Sequence, residues 1–572
     1  MSMMMCLDAF GGLDERYKTG DNLALSPDMR NYRVTENRTL EKRYGRSPVC
    51  PAPANIDGIW SGYLGTDKLF LFVSAGKLFR LDPATSERVE IGNVGTGETQ
   101  MFEFRRSVYL KNEQKYFRYD GTTLTEVEGY VPLVAVGCGA DGTGDSFEDT
   151  NLLTGKKRVL YSADGSSTVY HLPEQALSSV DSVLLDGEPC TITWTADTAA
   201  GTVTFAFAVP EGIDNLEIAY DTGRDRRSVI LGASGVMLFG GDTDGHLFLW
   251  GNPDYPAYRF HSELADGLPS AEYFPENNYT VIGDTLITDI IAQYDRQLIF
   301  TKDRAYYSYC ELQKDTLGNV YASFPVFNLN GEKGSLLQNA GCIMENEPVT
   351  LCADGLNRWE STSVENEKNA ICFSYPVGET VRRWLAAGNF SGMKLFNFRA
   401  GGELYFVLGQ TALIYNYRLK AWYAYDNFGA EKMCEYDGML YFSNGAGIEF
   451  LDPDSAYDPE GRFTAYFETP MSSLGIRGRR KKVSEIGFTV RASATPVLEV
   501  SYADEEGGTF PITTEIEHYC GDGKTVSFSF RPPLFRLAKV KLRLTEYDYA
   551  RCEICELHIA ATQKGKYGRT GL

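Results

Sequence analysis

The chain has 572 residues, with 55 Lys and Arg against 77 Asp and Glu, a formal net charge of −22. That length supports several domains with large cores, so the fold needs neither disulfides nor metals. The charge argues against a uniform nucleic-acid-coating surface and leaves room only for local basic patches. Gly is abundant at 57 residues, and aromatics, mostly Tyr and Phe, reach 13%. This is a composition of many short strands joined by turns, not of a disordered tail or a coiled coil. The 12 cysteines are scattered, far from the density of a disulfide scaffold. Met1–Phe10 has neither the basic nor the apolar region of a secretory signal, and no apolar run reaches membrane-spanning length. The expectation is a soluble chain made in a cytoplasm, with no export signal of its own and no membrane insertion.

In chain order, residues 1–50 do not read as part of a repeat. Ser26 is a good N-cap, Pro27 a good first helical residue and Asp28 suits the positive helix end, so an extended arm with one short helical turn is predicted. From Arg30 to Arg46 the arm carries six bases and two acids. Such arms bridge neighbours and order on doing so; the alternative is that the arm folds back to complete a repeat.

A strand–turn–strand unit then recurs, starting near residues 68, 107, 236, 296, 348, 403 and 439. Alternating apolar residues in each strand fit half-buried antiparallel pairs. One gap between starts is long, 129 residues, and it contains the 80-residue segment Asp141–Tyr220. Without that segment the spacing falls near the repeat of propeller blades, with no helical period between units. The fold class is therefore all-β: a β-propeller of about seven blades, in residues 51–140 and 221–456, interrupted by an inserted domain at 141–220.

Six short strands with Gly and Asp turns make the insert a small β-sandwich. It holds 13 acids and 3 bases. Insertion at a loop tip is where a scaffold tolerates a domain, so it should project. Asp452–Gly461 is a turn-rich linker, and residues 457–572 read as a C-terminal β-sandwich.

Gly11, Gly12, Leu13, Ser26, Pro27, Asn31, Arg33, Val34, Leu40, Lys42, Arg43 and Gly45 together form a pattern. It resembles the opening of a group of tailed-bacteriophage virion proteins that place such an arm before a β-propeller, described as head–tail connector, tail nozzle or stabilisation proteins. The resemblance implies a non-enzymatic structural subunit of a phage or prophage virion. It would form a homo-oligomeric ring at the tail or head–tail junction and line or stabilise the DNA conduit. Portal, adaptor or other tail proteins would be its partners, with transient contact to passing DNA, and assembly would occur in the bacterial host cytoplasm. The alternative is a glycan-binding or glycan-cleaving propeller protein of a phage tail or cell surface, which would use the central pocket. A glycosidase needs two carboxylates at a defined separation facing one cavity.

No catalytic, cofactor or metal residue is assigned. His171, His246, His261, His518 and His558 show no zinc-like spacing. Cys552 and Cys555 lack a second pair and a βαβ context. Gly137–Gly142 matches a dinucleotide fingerprint by letters but opens no helix. The acidic loop from Asp141 to Asp149 does not meet the EF-hand pattern. No nucleophile elbow or metalloprotease motif is present. The assembly candidates are the arm bases Arg30, Arg33, Lys42, Arg43 and Arg46, and the basic cluster Arg477, Arg479, Arg480, Lys481 and Lys482. That cluster suits an acidic neighbour, such as the insert of the next subunit, a DNA phosphate, or solvent alone.

Overall fold

The computed structural model describes residues 2–240, 245–314, 320–361, 369–445, 447–492, 497–503, 512–517, 525–532, 539, 541–546 and 552–566. Strands dominate, and seven four-stranded antiparallel sheets account for the repeat. Six of them run consecutively in sequence. They span Ile56 to Asn93, Gln100 to Glu126, Gly235 to Val281, Asp289 to Asn330, Cys342 to Cys372, and Met393 to Asp426. The seventh is composite. Met433–Tyr436, Met439–Ser443 and Gly447–Asp452 supply three strands, and Gly45–Pro51 supplies the fourth. A strand from before blade 1 thus completes blade 7 and closes the circle, which removes the open sheet edge that a propeller cannot leave exposed.

The recurrent unit of the sequence is, in five of the first six blades, the middle hairpin. Lys68–Asp82, for example, falls on Asp67–Ser74 and Lys77–Asp82, paired with Phe72 opposite Phe79. Central strands are the most apolar because both their faces and both their edges are covered, so they carry the clearest pattern.

The connection between blades 2 and 3 carries the insert. A six-stranded sheet (Leu133–Cys138, Asp145–Ser146, Lys156–Ala163, Ser179–Leu185, Glu188–Pro189 and Gly212–Asp221) faces a three-stranded one (Val169–His171, Trp194–Asp197 and Thr202–Phe205). They enclose a separate core that includes Val159, Tyr161, Tyr170, Val203, Ile218 and Tyr220. The sandwich takes in Leu133–Cys138, ahead of the predicted boundary at 141, because that strand pairs in parallel with Lys156–Ala163.

The terminal sandwich draws on both ends of the chain. Ser2–Leu7, Tyr32–Val34 and Leu40–Lys42 join Arg479–Ala492, Thr525–Phe530 and Cys552–Lys566 in one sheet. Met29–Arg30 joins Ala465–Glu468, Val497–Ala503, Ile512–Glu517 and Lys541–Glu546 in the other. Of the two readings of the arm, the extended one is corrected and the fold-back is what the structure has: Gly45–Pro51 completes blade 7, and the strands before it are built into the terminal sandwich. Its apolar residues Phe10, Leu13, Met29, Tyr32 and Leu40 belong to one continuous core with blades 5–7 and the sandwich.

The helical turn at Ser26–Pro27–Asp28 is likewise absent. The Ser26 hydroxyl donates to the Glu468 carbonyl at 2.7 Å instead of capping, and Met29–Arg30 pairs with Tyr466–Phe467. Lateral partners take the groups that a helix would have used. Conversely, a helix at Gly378–Ala387, closed by Gly388 in the left-handed region, connects blades 5 and 6 and was not expected. It buries only Thr380, Val381 and Trp384, too short a stripe to register as a period among strands.

Candidate functional site

The arm residues converge on the seam between blades 6 and 7 and the terminal sandwich. Asn31 adopts a left-handed conformation, φ 57°, and spends nearly every polar group there. Its backbone N–H donates to the Ala424 carbonyl, and its carbonyl accepts from Arg43 N–H. Nδ2 donates to the Thr464 carbonyl at 2.7 Å, while Oδ1 accepts from Asp426 N–H at 2.9 Å and from Arg43 Nε at 3.0 Å. One side chain so ties the arm to blade 6 and to the strand that opens the terminal sandwich. Gly12 makes the second close approach. Its φ is +90°, and a Cβ there would lie 2.5 Å from the Trp422 carbonyl oxygen.

Arg43, just after the strand Leu40–Lys42, reaches the same seam. Its guanidinium forms a two-pronged pair with Asp458, at 2.9 and 2.6 Å, and stacks over Phe463 at 3.7 Å. Both partners of the ion pair are fully buried. Arg46 bonds Glu449 on blade 7 at 2.5 Å, and also Glu460, while Asp458 accepts its backbone N–H. Arg33 bonds Glu41 and Tyr44, Arg30 sits 3.5 Å from Asp426, and buried Lys42 lies over Phe463. The expectation that these five bases form an intersubunit surface is corrected. Arg43 and Arg46 meet Asp458, Glu449 and Glu460, because folding the arm back lays this part of it on blade 7 and the acidic linker 452–461, while Arg33 pairs with Glu41 within the arm and Arg30 faces Asp426 of blade 6. Asp458, Glu449 and Glu460 went unread in the sequence. The only signal was charge balance: a basic arm buried in one chain requires acids of its own.

The second basic cluster stays at the surface. Arg477 and Arg480 are exposed, Arg479 and Lys482 half-buried, and Lys481 alone is buried. Arg477 stands 3.7 Å from Asp21. These residues begin the strand Arg479–Ala492, whose first part pairs with the end of Cys552–Lys566, Lys482 opposite Thr562.

Two cavities accompany these features. One, of about 690 Å³, lies between the arm turn at Arg33–Asn37 and the turns of blades 6 and 7. It holds Glu403, a buried carboxylate that accepts hydroxyl bonds from Tyr405, at 2.8 Å, and from Tyr423. The other, of about 740 Å³, is the end of the propeller channel, lined by first strands and blade-to-blade connections. Four carboxylates line it, Glu98, Glu113, Asp289 and Glu431, with Lys111, Lys394 and Lys432. Lys432 bonds Glu98. Burial pushes the Asp289 carboxyl up from 3.8 to about 7, although its Oδ2 accepts the N–H groups of Ala340 and Gly341. Burial brings Lys111 down to about 7, and its Nζ donates to the Leu231 and Ala233 carbonyls.

A carboxyl raised on folding binds more protons in the folded state, so stability falls as pH rises from its unfolded to its folded value. Asp289→Asn keeps the acceptor and removes the titration. We expect the variant's thermal midpoint, relative to wild type, to rise by several degrees between pH 4 and pH 8, measured by calorimetry across that range. A constant offset would show that Asp289 does not titrate there.

The remaining sequence features are structural. Cys552 and Cys555 lie three apart on one strand, which places them on opposite faces; Cys552 is buried and Cys555 half-buried. Asp141 accepts from the backbone and hydroxyl of Thr143 in a local turn. His246 bonds the Ser262 carbonyl and packs with His261 around Phe324. Among the described residues no group of three metal-ligating side chains occurs; His518 lies outside them.

No protein-family model matches the chain, and no curated protein matches it. Among solved structures it is similar to the enzymatically active domain of tailspike protein 4 of bacteriophage CBA120, at TM-score 0.13 and 12% identity over 17% of this chain and 13% of that one. It is also similar to an exo-β-1,3-galactanase from Phanerochaete chrysosporium, at TM-score 0.17 and 8% identity over 82% and 97%. An extracellular domain from B. thetaiotaomicron gives TM-score 0.20 and 9% identity over 88% and 76%. Likenesses at this level assign neither family nor activity.

Proposed function

We propose that the chain is a non-enzymatic structural subunit of a tailed-phage or prophage virion, which forms a ring at the tail or head–tail junction and lines or stabilises the DNA conduit. One observation carries the reading. The arm residues that resemble those virion proteins, Gly12, Asn31, Arg43 and Gly45 among them, are the residues that weld propeller to sandwich. The shared pattern is thus tied to holding large β modules in fixed relation, which a ring subunit requires.

The test is location. Antibody raised against the chain should label the tail or head–tail junction of particles produced by the cells that carry its gene. Label confined to the cell envelope, or absent from particles, would overturn the reading. Release of reducing sugar from glycans by the purified chain would favour the glycan-cleaving alternative.

A further inference from the structure

The insert and the terminal sandwich carry opposite charges at the surface. Of the insert's acids, Asp141, Asp145, Asp149, Asp164, Asp181, Asp186, Glu188, Asp197, Glu211 and Asp214 are exposed. Its three bases are not free to balance them: Lys156 pairs with Glu128, Lys157 with Glu174, and Arg158 stands near Glu217. Among these acids stand large apolar side chains in water, Ile213 at 89% exposure, Phe207 at 75% and Phe147 at 64%. Exposed apolar side chains of this size gain by burial against a partner, so the surface of the insert is not purely repulsive.

The far end of the terminal sandwich has the complementary character. Arg477, Arg479, Arg480 and Lys482 gather where the strands Arg479–Ala492 and Cys552–Lys566 begin and end, with exposed Lys564 beside them. The strand Thr525–Phe530 covers the outer edge only from Ile486 onward. Among the described residues the basic stretch Arg479–Glu485 has no strand on that side. Met3, 38% exposed, lies on the strand Ser2–Leu7 across Cys552–Lys566 and rests against Gly475, just ahead of the cluster; Met4, next along the strand, faces the opposite side. Methionine adapts its shape to a partner, so Met3 adds one apolar side chain beside the basic residues.

From this complementarity we infer that the acidic inserted sandwich of one copy docks on the basic, methionine-bordered end of the terminal sandwich of the next copy. Like charges oppose insert–insert contact and oppose pairing of two basic edges. The favoured contact is therefore heterologous, head to tail, the kind that closes into a ring when its rotation permits. The inference rests on the ring reading and names the surfaces that would make the ring.

The experiment uses the full chain. Ile213 is replaced by a photoreactive benzoylphenylalanine, and cross-linked peptides are identified after irradiation at micromolar concentration. Cross-links are expected to Met3–Leu7 or to residues 474–485 of a second copy. In sedimentation, the triple variant Arg477→Glu, Arg479→Glu, Arg480→Glu should self-associate at least about tenfold more weakly. The insert variant Asp145→Lys, Glu211→Lys should do the same, and mixing the two variants should restore association. Unchanged thermal midpoints would show that the variants fold.

Cross-links to other regions, a wild-type chain monomeric throughout, or triple-variant association equal to wild type would each overturn the inference. So would loss of duplex-DNA binding in the triple variant with association intact, which would make the basic end a phosphate-binding surface. None of these outcomes moves the label on particles, so the ring reading stands or falls separately.

Discussion

Arg43→Met is expected to destabilise the chain by about 3–5 kcal/mol, because it leaves Asp458 buried with its bidentate partner removed. Asp458 is 1% exposed at its side chain, so water cannot replace the guanidinium. Arg46, through its backbone N–H and its guanidinium 3.5 Å from Oδ1, and Asn427 Nδ2, which donates to Oδ2, remain and hold the carboxylate only partly. Removing both charges should cost far less than removing one. The double variant Arg43→Met, Asp458→Asn is therefore expected to recover a large part of the loss, and the coupling can be read from a double-mutant cycle in urea. Equal losses in the single and double variants would show that the guanidinium acts through its packing on Phe463 rather than through the carboxylate.

The second large effect is expected at Gly45, the first residue of the strand that closes blade 7. A Cβ there would sit 2.1 Å from the Tyr457 carbonyl oxygen and 2.6 Å from the Ser455 hydroxyl. Backbone cannot yield as a side chain can, so Gly45→Ala must displace either the closing strand or the linker, at about 3 kcal/mol or more. The damage should be local before it is global. Amide exchange should quicken in Gly45–Pro51 and in its partner Gly447–Asp452, while the insert, with its own core, keeps its protection. Uniform protection across blade 7 in the variant would show that the linker gives way without opening the ring.

The propeller was legible because its middle strands repeat. Seven apolar hairpins at near-constant spacing leave few architectures, and the insert announced itself as one broken interval. The arm was not legible as structure, although its residues were singled out. Ser26, Pro27 and Asp28 satisfy every local rule for a helix start, yet long-range strand partners at Tyr466 and Phe467 win, and local propensity has no access to such partners. The same blindness put Arg43 and Arg46 on a surface. A run of bases looks solvated until its acids, four hundred positions away in sequence, are brought beside it. The cluster Arg477–Lys482 lies at the surface except for buried Lys481, and even there Arg477 finds an acid, Asp21, from the other end of the chain.

The closure of blade 7 has a bearing on how the chain is made. Residues 45–51 leave the ribosome early, yet the strand they must meet, Gly447–Asp452, emerges some four hundred residues later. Ser2–Leu7 waits longer still, for Cys552–Lys566. Contacts of such sequence separation form last and slowly. Until Asp452 has emerged the propeller is an open arc, and until Lys566 has emerged the terminal sandwich lacks a central strand. A chain cut short of Asp452 therefore has no closed propeller to bring to any assembly.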